Sequence, residues 1–271
     1  MGTLAFSPAV VTLFAILIEE RTGLGFKPGD HPLLASKLEA CAGALGVESA
    51  IQYYYLVRDE PTPMVAFDRL VDAIVVNETY FFREADQLSV LCETVILPLC
   101  QAGRRPRVWS AACSSGEEPF TLAILLDGMG LLSSVDIVAS DICNKALEHA
   151  KKGSYGERSL RAIPDGVVGR WLERADGRVS IAQPLRDAIE WRRINLVDDD
   201  AIRALGAFDA ILCRNVLIYF SDDTVRRVMH SLSGSLNDSA PLLVGAAESL
   251  LQFGSELKWG ERSGAFFHVR A

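Results

Sequence analysis

The chain has 271 residues, 49% hydrophobic and 23% charged, a balance that gives a folded core and excludes a disordered chain. A net charge of −8 and an isoelectric point near 5.1 exclude the broad basic surface that nucleic acid or an anionic membrane requires. From the amino end, Ser7-Pro8 supplies an N-cap and a first-turn proline, an apolar helix follows, and Gly23 closes it. The apolar run inside it, Val10 to Ile18, is too short to span a bilayer, follows no basic leader and ends in Glu19-Glu20, so it is expected to be a buried helix. Apolar residues at helical spacing recur over 33–45, 50–57 and 65–75, with breaks at Gly46, Pro61 and Pro63, which predicts an all-helical domain over residues 1–76.

From Arg107 the pattern alternates: strand 107–111, helix 115–127, strand 135–140, helix 143–152, strand 208–213, helix 222–233, strand 241–246 and a closing stretch 264–270. This order predicts an α/β, Rossmann-like doubly wound sheet over 77–271, its two closing strands forming an antiparallel edge. Prolines and glycines break up 155–195 around short β-like pieces at 179–181 and 189–191, which predicts a small β-subdomain inserted at about 156–194. Six scattered cysteines and four isolated histidines show no ligand spacing, so neither a metal nor a disulfide framework is expected, and a reducing cytoplasm is the simpler setting.

The stretch VWSAACSSGEEPF (108–120) leaves a strand, passes through small residues and puts Glu117 and Glu118 where a helix starts. A dinucleotide fold uses that helix end for a pyrophosphate. Two carboxylates there repel phosphate, and G-x-G-x-x-G is absent, so S-adenosylmethionine, with its adenosine, sulfonium and ammonium, fits better. The plainer alternative is that both acids merely satisfy the helix dipole. Asp141, ending the second strand, has the position of a ribose-binding acid, or else of a helix cap. In ILCRNVLIYF (211–220), Arg214-Asn215 falls at a strand's carboxyl end, where a buried polar pair is costly unless it faces a cleft; Tyr219 is a site residue or a core tyrosine. NETYFFRE (77–84) ends in Arg83, whose guanidinium suits a carboxylate, unless the segment is a linker docked by Phe81 and Phe82.

Taken together, VVNETYFFRE, RVWSAACSSGEEPFTLA, ASDI with ALEHAKKGSYG, INLV, FDAILCRNVLIYF and a late GAAESL resemble the chemotaxis receptor glutamate O-methyltransferases, the CheR type, from about residue 70 to the end. The resemblance implies an S-adenosylmethionine-dependent methyltransferase fold with a helical amino-terminal domain and an inserted β-subdomain. It implies contacts to S-adenosylmethionine at Asn77, Thr79, Arg83, Glu118, Asp141, Asn195, Leu196, Cys213, Arg214 and Asn215, with Arg83 and Tyr219 beside the transferred methyl. Asn195 and Leu196 rest on the resemblance alone. It further implies a methyl-accepting receptor as partner, S-adenosylhomocysteine as product, and a monomer that neither inserts into a membrane nor binds nucleic acid.

One departure stands out. The family's second helix is basic where it faces the receptor; here HPLLASKLEACAGAL offers only Lys37 beside Glu39, and residues 1–76 hold five basic against nine acidic residues. Residues 157–193 instead carry eight arginines against six acids, so this subdomain is expected to supply the basic contact through Arg178 and Arg186, without a receptor tether. A noncatalytic scaffold and a methyltransferase for another acid remain as rivals.

Overall fold

In the computed structural model, which describes residues 4–59, 65–175, 177–248, 250, 257–262 and 265–270, the chain forms two units. One comprises residues up to Val76 together with Tyr219–Thr224; the other comprises Asn77–Ile218 and the chain from Val225 on.

The first unit holds helices α1 (Pro8–Thr22), α2 (His31–Ala44), α3 (Ala50–Asp59) and α4 (Val65–Ile74). Ser7 Oγ accepts from Val10 N at 3.4 Å, and Gly23 takes a left-handed φ of 78° so that its N–H reaches the Glu19 carbonyl at 2.8 Å, the two caps the sequence predicts. Phe14, Ile18, Leu34, Leu38, Tyr53, Val57 and Leu70 are fully buried and form its core. Lys37, the one lysine of α2, donates its ammonium to the Ala73 carbonyl and so serves the end of α4. Tyr219 enters this unit through its backbone, its carbonyl accepting from Gly25 N at 2.9 Å.

The second unit opens with α5 (Ala85–Leu91), a π-helical turn over Cys92–Ile96 and α6 (Leu97–Gln101), a helical stretch that the periodicity of the sequence does not assign. Then come β1 (Arg107–Ala111), α7 (Glu117–Gly128), β2 (Asp136–Asp141), α8 (Asn144–Lys152), β3 (Ser154–Tyr155), β4 (Leu172–Ala175), β5 (Arg178–Ile181), α9 (Gln183–Asp187), β6 (Ile189–Arg193), α10 (Asp199–Ala204), β7 (Ala210–Cys213), α11 (Asp222–Gly234), β8 (Pro241–Leu243), β9 (Leu257–Arg262) and β10 (Ala265–Arg270). Seven strands form one sheet in the order β6-β2-β1-β7-β8-β10-β9. From β6 to β8 all neighbours are parallel, as the near-continuous apolar runs of buried strands require. Trp109 of β1 is fully buried, donates to Ser140 Oγ of β2 at 2.9 Å and packs on Phe208, 5.4 Å between centroids.

One expectation changes and another is extended. The segment at 189–191 is part of β6, the main sheet's edge against β2, so the separate small sheet is β3-β5-β4, from Ser154 to Ile181. Alternation in a five-residue strand reports a pleat, not which sheet it joins. The two closing strands do pair antiparallel, β10 on β8, and β9, which the sequence does not assign, extends that edge antiparallel to β10, while β8 runs parallel to β7.

Candidate active site

The order of the main sheet reverses at β1, whose chain neighbour β2 lies on one side and late-coming β7 on the other, which is where open α/β sheets bind ligands. Backbone strain collects at the same end. Among the described residues six non-glycines have positive φ, and five of them, Phe82, Glu84, Ala112, Ser114 and Asn215, lie in the 82–84 segment and the loops after β1 and β7.

The loop after β1 is held by Asp141, whose Oδ2 accepts from Ser114 N at 2.8 Å while Oδ1 accepts from Cys143 N at 2.9 Å. Asp141 is therefore both a cap for the turn into α8 and the fastener of the β1 loop. Asn77 bridges the same two loops: its Oδ1 accepts from Ser114 Oγ at 3.2 Å, and its Nδ2 reaches Cys143 Sγ at 3.6 Å. Ile194 N donates to the Asp141 carbonyl at 3.2 Å, which brings Asn195 and buried Leu196 to this end of the sheet; Asn195 Oδ1 accepts from Val197 N at 3.3 Å. Burial pushes the Cys213 thiol, and that of Cys113, well above the usual range, with Glu248 and Asp141 respectively adding to the effect, so both stay protonated.

The Arg214 side chain is paired with acids. Its guanidinium, 2% exposed, pairs with Glu84 Oε2 and Glu118 Oε2, both at 3.0 Å, and donates to the Arg83 carbonyl at 2.9 Å. Glu118 Oε1 accepts from Ser110 Oγ at 2.7 Å. Burial alone would raise the Glu84 carboxyl, but the charge and hydrogen bond of Arg214, with Ala246 N–H, outweigh it and hold that carboxyl below its ordinary value. The two acids of the α7 start therefore differ. Glu117 is 2% exposed and accepts from Ser115 Oγ at 2.7 Å and Ser159 Oγ at 2.8 Å, so it fastens the helix start to the one-turn helix Glu157–Leu160 instead of answering a ligand's charge.

Arg83 gives Nη1 to the Glu78 carbonyl at 3.2 Å and stands 4.0 Å from Glu84 Oε1. Its segment is anchored by Phe81, fully buried against Tyr155 at 4.8 Å, and by Phe82 N, which donates to Thr121 Oγ1 at 3.1 Å; Thr79 is partly exposed in the same segment. The docked-segment reading of NETYFFRE thus holds for Phe81 and Phe82, while Arg83 stays partly exposed beside them. Tyr219 is grouped with the helical unit, whereas every other expected site residue belongs to the second.

Sequence reasoning misses Glu248, although it lies within the GAAESL segment that carries the resemblance. Its buried carboxylate accepts from the backbone N–H of Asn215 at 2.6 Å, Gly245 at 2.7 Å and Leu217 at 2.8 Å, which fixes Asn215 at φ 60°. Gly245 has no side chain because a Cβ would strike the Asn215 amide. Glu84 is missed likewise. The signal available is an acid inside a small-residue turn, the pattern of a carboxylate that accepts backbone N–H groups.

The donor set suits S-adenosylmethionine. Carboxylates stand at the start of α7 and the end of β2, where a phosphate ligand would need bare N–H groups, and the loops between them are built of small residues. The family model described as CheR methyltransferase, SAM binding domain, matches residues 77–262. The chain belongs to the CheR methyltransferase family. Chemotaxis protein methyltransferase 1 of Pseudomonas aeruginosa is 33% identical over 248 residues, spanning 88% of this chain and 89% of that one. The chemotaxis protein methyltransferase of Vibrio anguillarum is 38% identical over 247 residues, 88% of each. This CheR-type chain is an S-adenosylmethionine-dependent methyltransferase with a Rossmann-like fold, as its sequence predicts.

Proposed function

We propose that this methyltransferase esterifies glutamate side chains of a methyl-accepting chemoreceptor, and that Asn77, Thr79, Arg83, Glu118, Asp141, Asn195, Leu196 and the backbone of Cys213-Arg214-Asn215 hold the donor. Residues 1–76 are the helical domain, and 77–271 the catalytic domain with its inserted small sheet. The observation that carries this reading is the convergence of Asn77, Ser114, Asp141 and Cys143 in one set of hydrogen bonds at the switch point of the sheet. We place the reaction in the cytoplasm, where thiols such as the six free cysteines stay reduced.

A glutamate carboxylate, with a reference pKa near 4.3, is already ionised at neutral pH, so no general base is needed. S-adenosylmethionine supplies a methyl group on a positively charged sulfur. The acceptor oxygen forms the new carbon–oxygen bond as the carbon–sulfur bond breaks, giving a neutral ester and S-adenosylhomocysteine with no proton moved. The protein contributes placement, which can lower a barrier by about 7–11 kcal/mol. Arg83 is suited to placing the acceptor because it is partly exposed, gives one N–H to the Glu78 carbonyl and keeps others for a carboxylate. With Tyr219 it would steer the acceptor oxygen without the tight pairing that stabilises the ground state.

The test is transfer of label from tritiated S-adenosylmethionine to membranes of the organism that carries this chain. Base treatment should release the label from a membrane protein as methanol. Base-stable label, or none, would overturn the reading.

A further inference from the structure

The arginines expected to meet the substrate, Arg178 and Arg186, are occupied. Arg178 donates to Ser154 Oγ at 2.9 Å and to the Ser154 carbonyl at 2.6 Å, which braces β5 on β3, and Arg186 donates to the Lys151 carbonyl at 3.0 Å, which ties α9 to the end of α8. A different basic group lies beside Arg83. Arg161 sits 3.9 Å over the ring of Tyr80, on which Arg83 also closes at 5.8 Å, and pairs through Nη2 with Glu78 Oε1 at 2.8 Å. Arg158, one turn before Arg161, is exposed and makes no side-chain hydrogen bond among the described residues. Three guanidiniums thus surround one carboxylate on a chain that is otherwise acidic.

We propose that Tyr80, Arg158 and Arg161 form the docking surface for acidic residues flanking the acceptor glutamate, and that Glu78 is a placeholder carboxylate which the substrate displaces. The inference deepens the function proposed above and rests on it. Three observations argue for it. The hydrogen bond from Arg161, its charge, and those of Arg158 and Arg83 hold the Glu78 carboxyl below its usual range, so it is an anion in an anion site. The pair is exposed, with side chains 44% and 58% accessible, and exposed pairs are worth so little that exchanging one carboxylate for another costs almost nothing. Tyr80 orients the two guanidiniums that share its ring, so a carboxylate steered to Arg83 leaves its acidic neighbours within reach of Arg161. A protein of net charge −8 needs such a local patch to draw an acidic partner in.

The closing experiment measures methylation of receptor-bearing membranes against calorimetric affinity for S-adenosylmethionine. Arg158→Glu with Arg161→Glu should raise KM for the membranes at least about tenfold, steeply so at low salt, with donor affinity unchanged. Glu78→Gln should lower KM roughly two- to fivefold, since it removes the internal competitor. A KM within twofold of wild type in the double reversal, a raised KM in Glu78→Gln, or a parallel loss of donor affinity would each overturn the docking surface. If the wild-type chain labels no membrane protein, the proposed function fails, yet docking is still read by anisotropy with a fluorescent glutamate-rich peptide. That peptide should bind wild type and not the double reversal; equal binding, or binding to neither, overturns the surface.

Discussion

Glu248→Gln isolates the acid that holds the β7 turn. Glutamine keeps the shape of glutamate, but only one of its terminal atoms accepts. Oε2 takes two backbone donors, Asn215 N and Gly245 N, and Oε1 takes Leu217 N, so the amide oxygen will occupy the Oε2 place and turn its NH2 against the Leu217 N–H. One hydrogen bond to a charged group is lost with its donor left buried, about 1.5–3 kcal/mol, and the two that remain lose their charge assistance. The total is about 2–4 kcal/mol, concentrated on a turn whose Asn215 is held at φ 60°. Relaxing that turn is less costly than unfolding the domain, so the loss should appear first in binding: at about 1.4 kcal/mol per tenfold, S-adenosylmethionine affinity should fall at least tenfold. Calorimetry measures that affinity, and urea denaturation measures global stability in parallel. Full stability loss with unchanged affinity would refute the claim that this turn carries donor contacts. No change in either would show that the three hydrogen bonds are replaceable by water.

Asp141→Ala should weaken donor binding by about 1.5–3 kcal/mol per hydrogen bond lost, because it frees the Ser114 and Cys143 N–H groups and unfastens the β1 loop; unchanged affinity by calorimetry would leave Asp141 as a helix cap only. Arg83→Ala and Tyr219→Phe should lower turnover far more than they lower the denaturation midpoint, and activity lost only in proportion to folded protein would point to packing. The Glu84 carboxyl is held below its ordinary value of 4.5, so its contribution to stability is complete above that value and lost as pH falls through the lower, folded one. Glu84→Gln should flatten that acid limb of the stability profile, and an unaltered limb would mean the Arg214 pairing adds nothing.

How much of the fold and site is legible in the sequence depends on whether a residue's role leaves a local mark. Ser7, Pro8 and Gly23 carry their meaning in their own backbone preferences, and the structure uses them as caps. The parallel sheet shows in runs such as Ala210–Cys213, apolar on both faces. Asp141 is recognisable by its place after a strand, and its cap role is observed together with a hold on the β1 loop that the sequence does not show. Glu117 and Glu118 cannot be told apart in sequence, since neighbours in a first helical turn point about 100° apart and only tertiary partners decide which is buried. Arg214 shows that it needs compensation, but not that Glu84, far earlier in the chain, supplies it.

The acids at this end of the sheet also serve a purpose that charge counting does not suggest. Asp141 accepts from Ser114 N, Glu248 from Asn215 N, and Ser114 and Asn215 are both left-handed without being glycine. Glu84, left-handed as well, is held by Arg214. A left-handed conformation costs roughly 1–2 kcal/mol in a residue with a Cβ, and one hydrogen bond to a carboxylate offsets about that much. Glycine would avoid the strain, yet it would leave the loop free to take many shapes when the donor is absent. Substituting strained residues for glycine and fastening each with an ion fixes the loops before ligand arrives, so less of the binding energy goes into ordering them. Asp141, one of the carboxylates that disfavour a phosphate ligand, is therefore also one of those that shape the site for a cationic one.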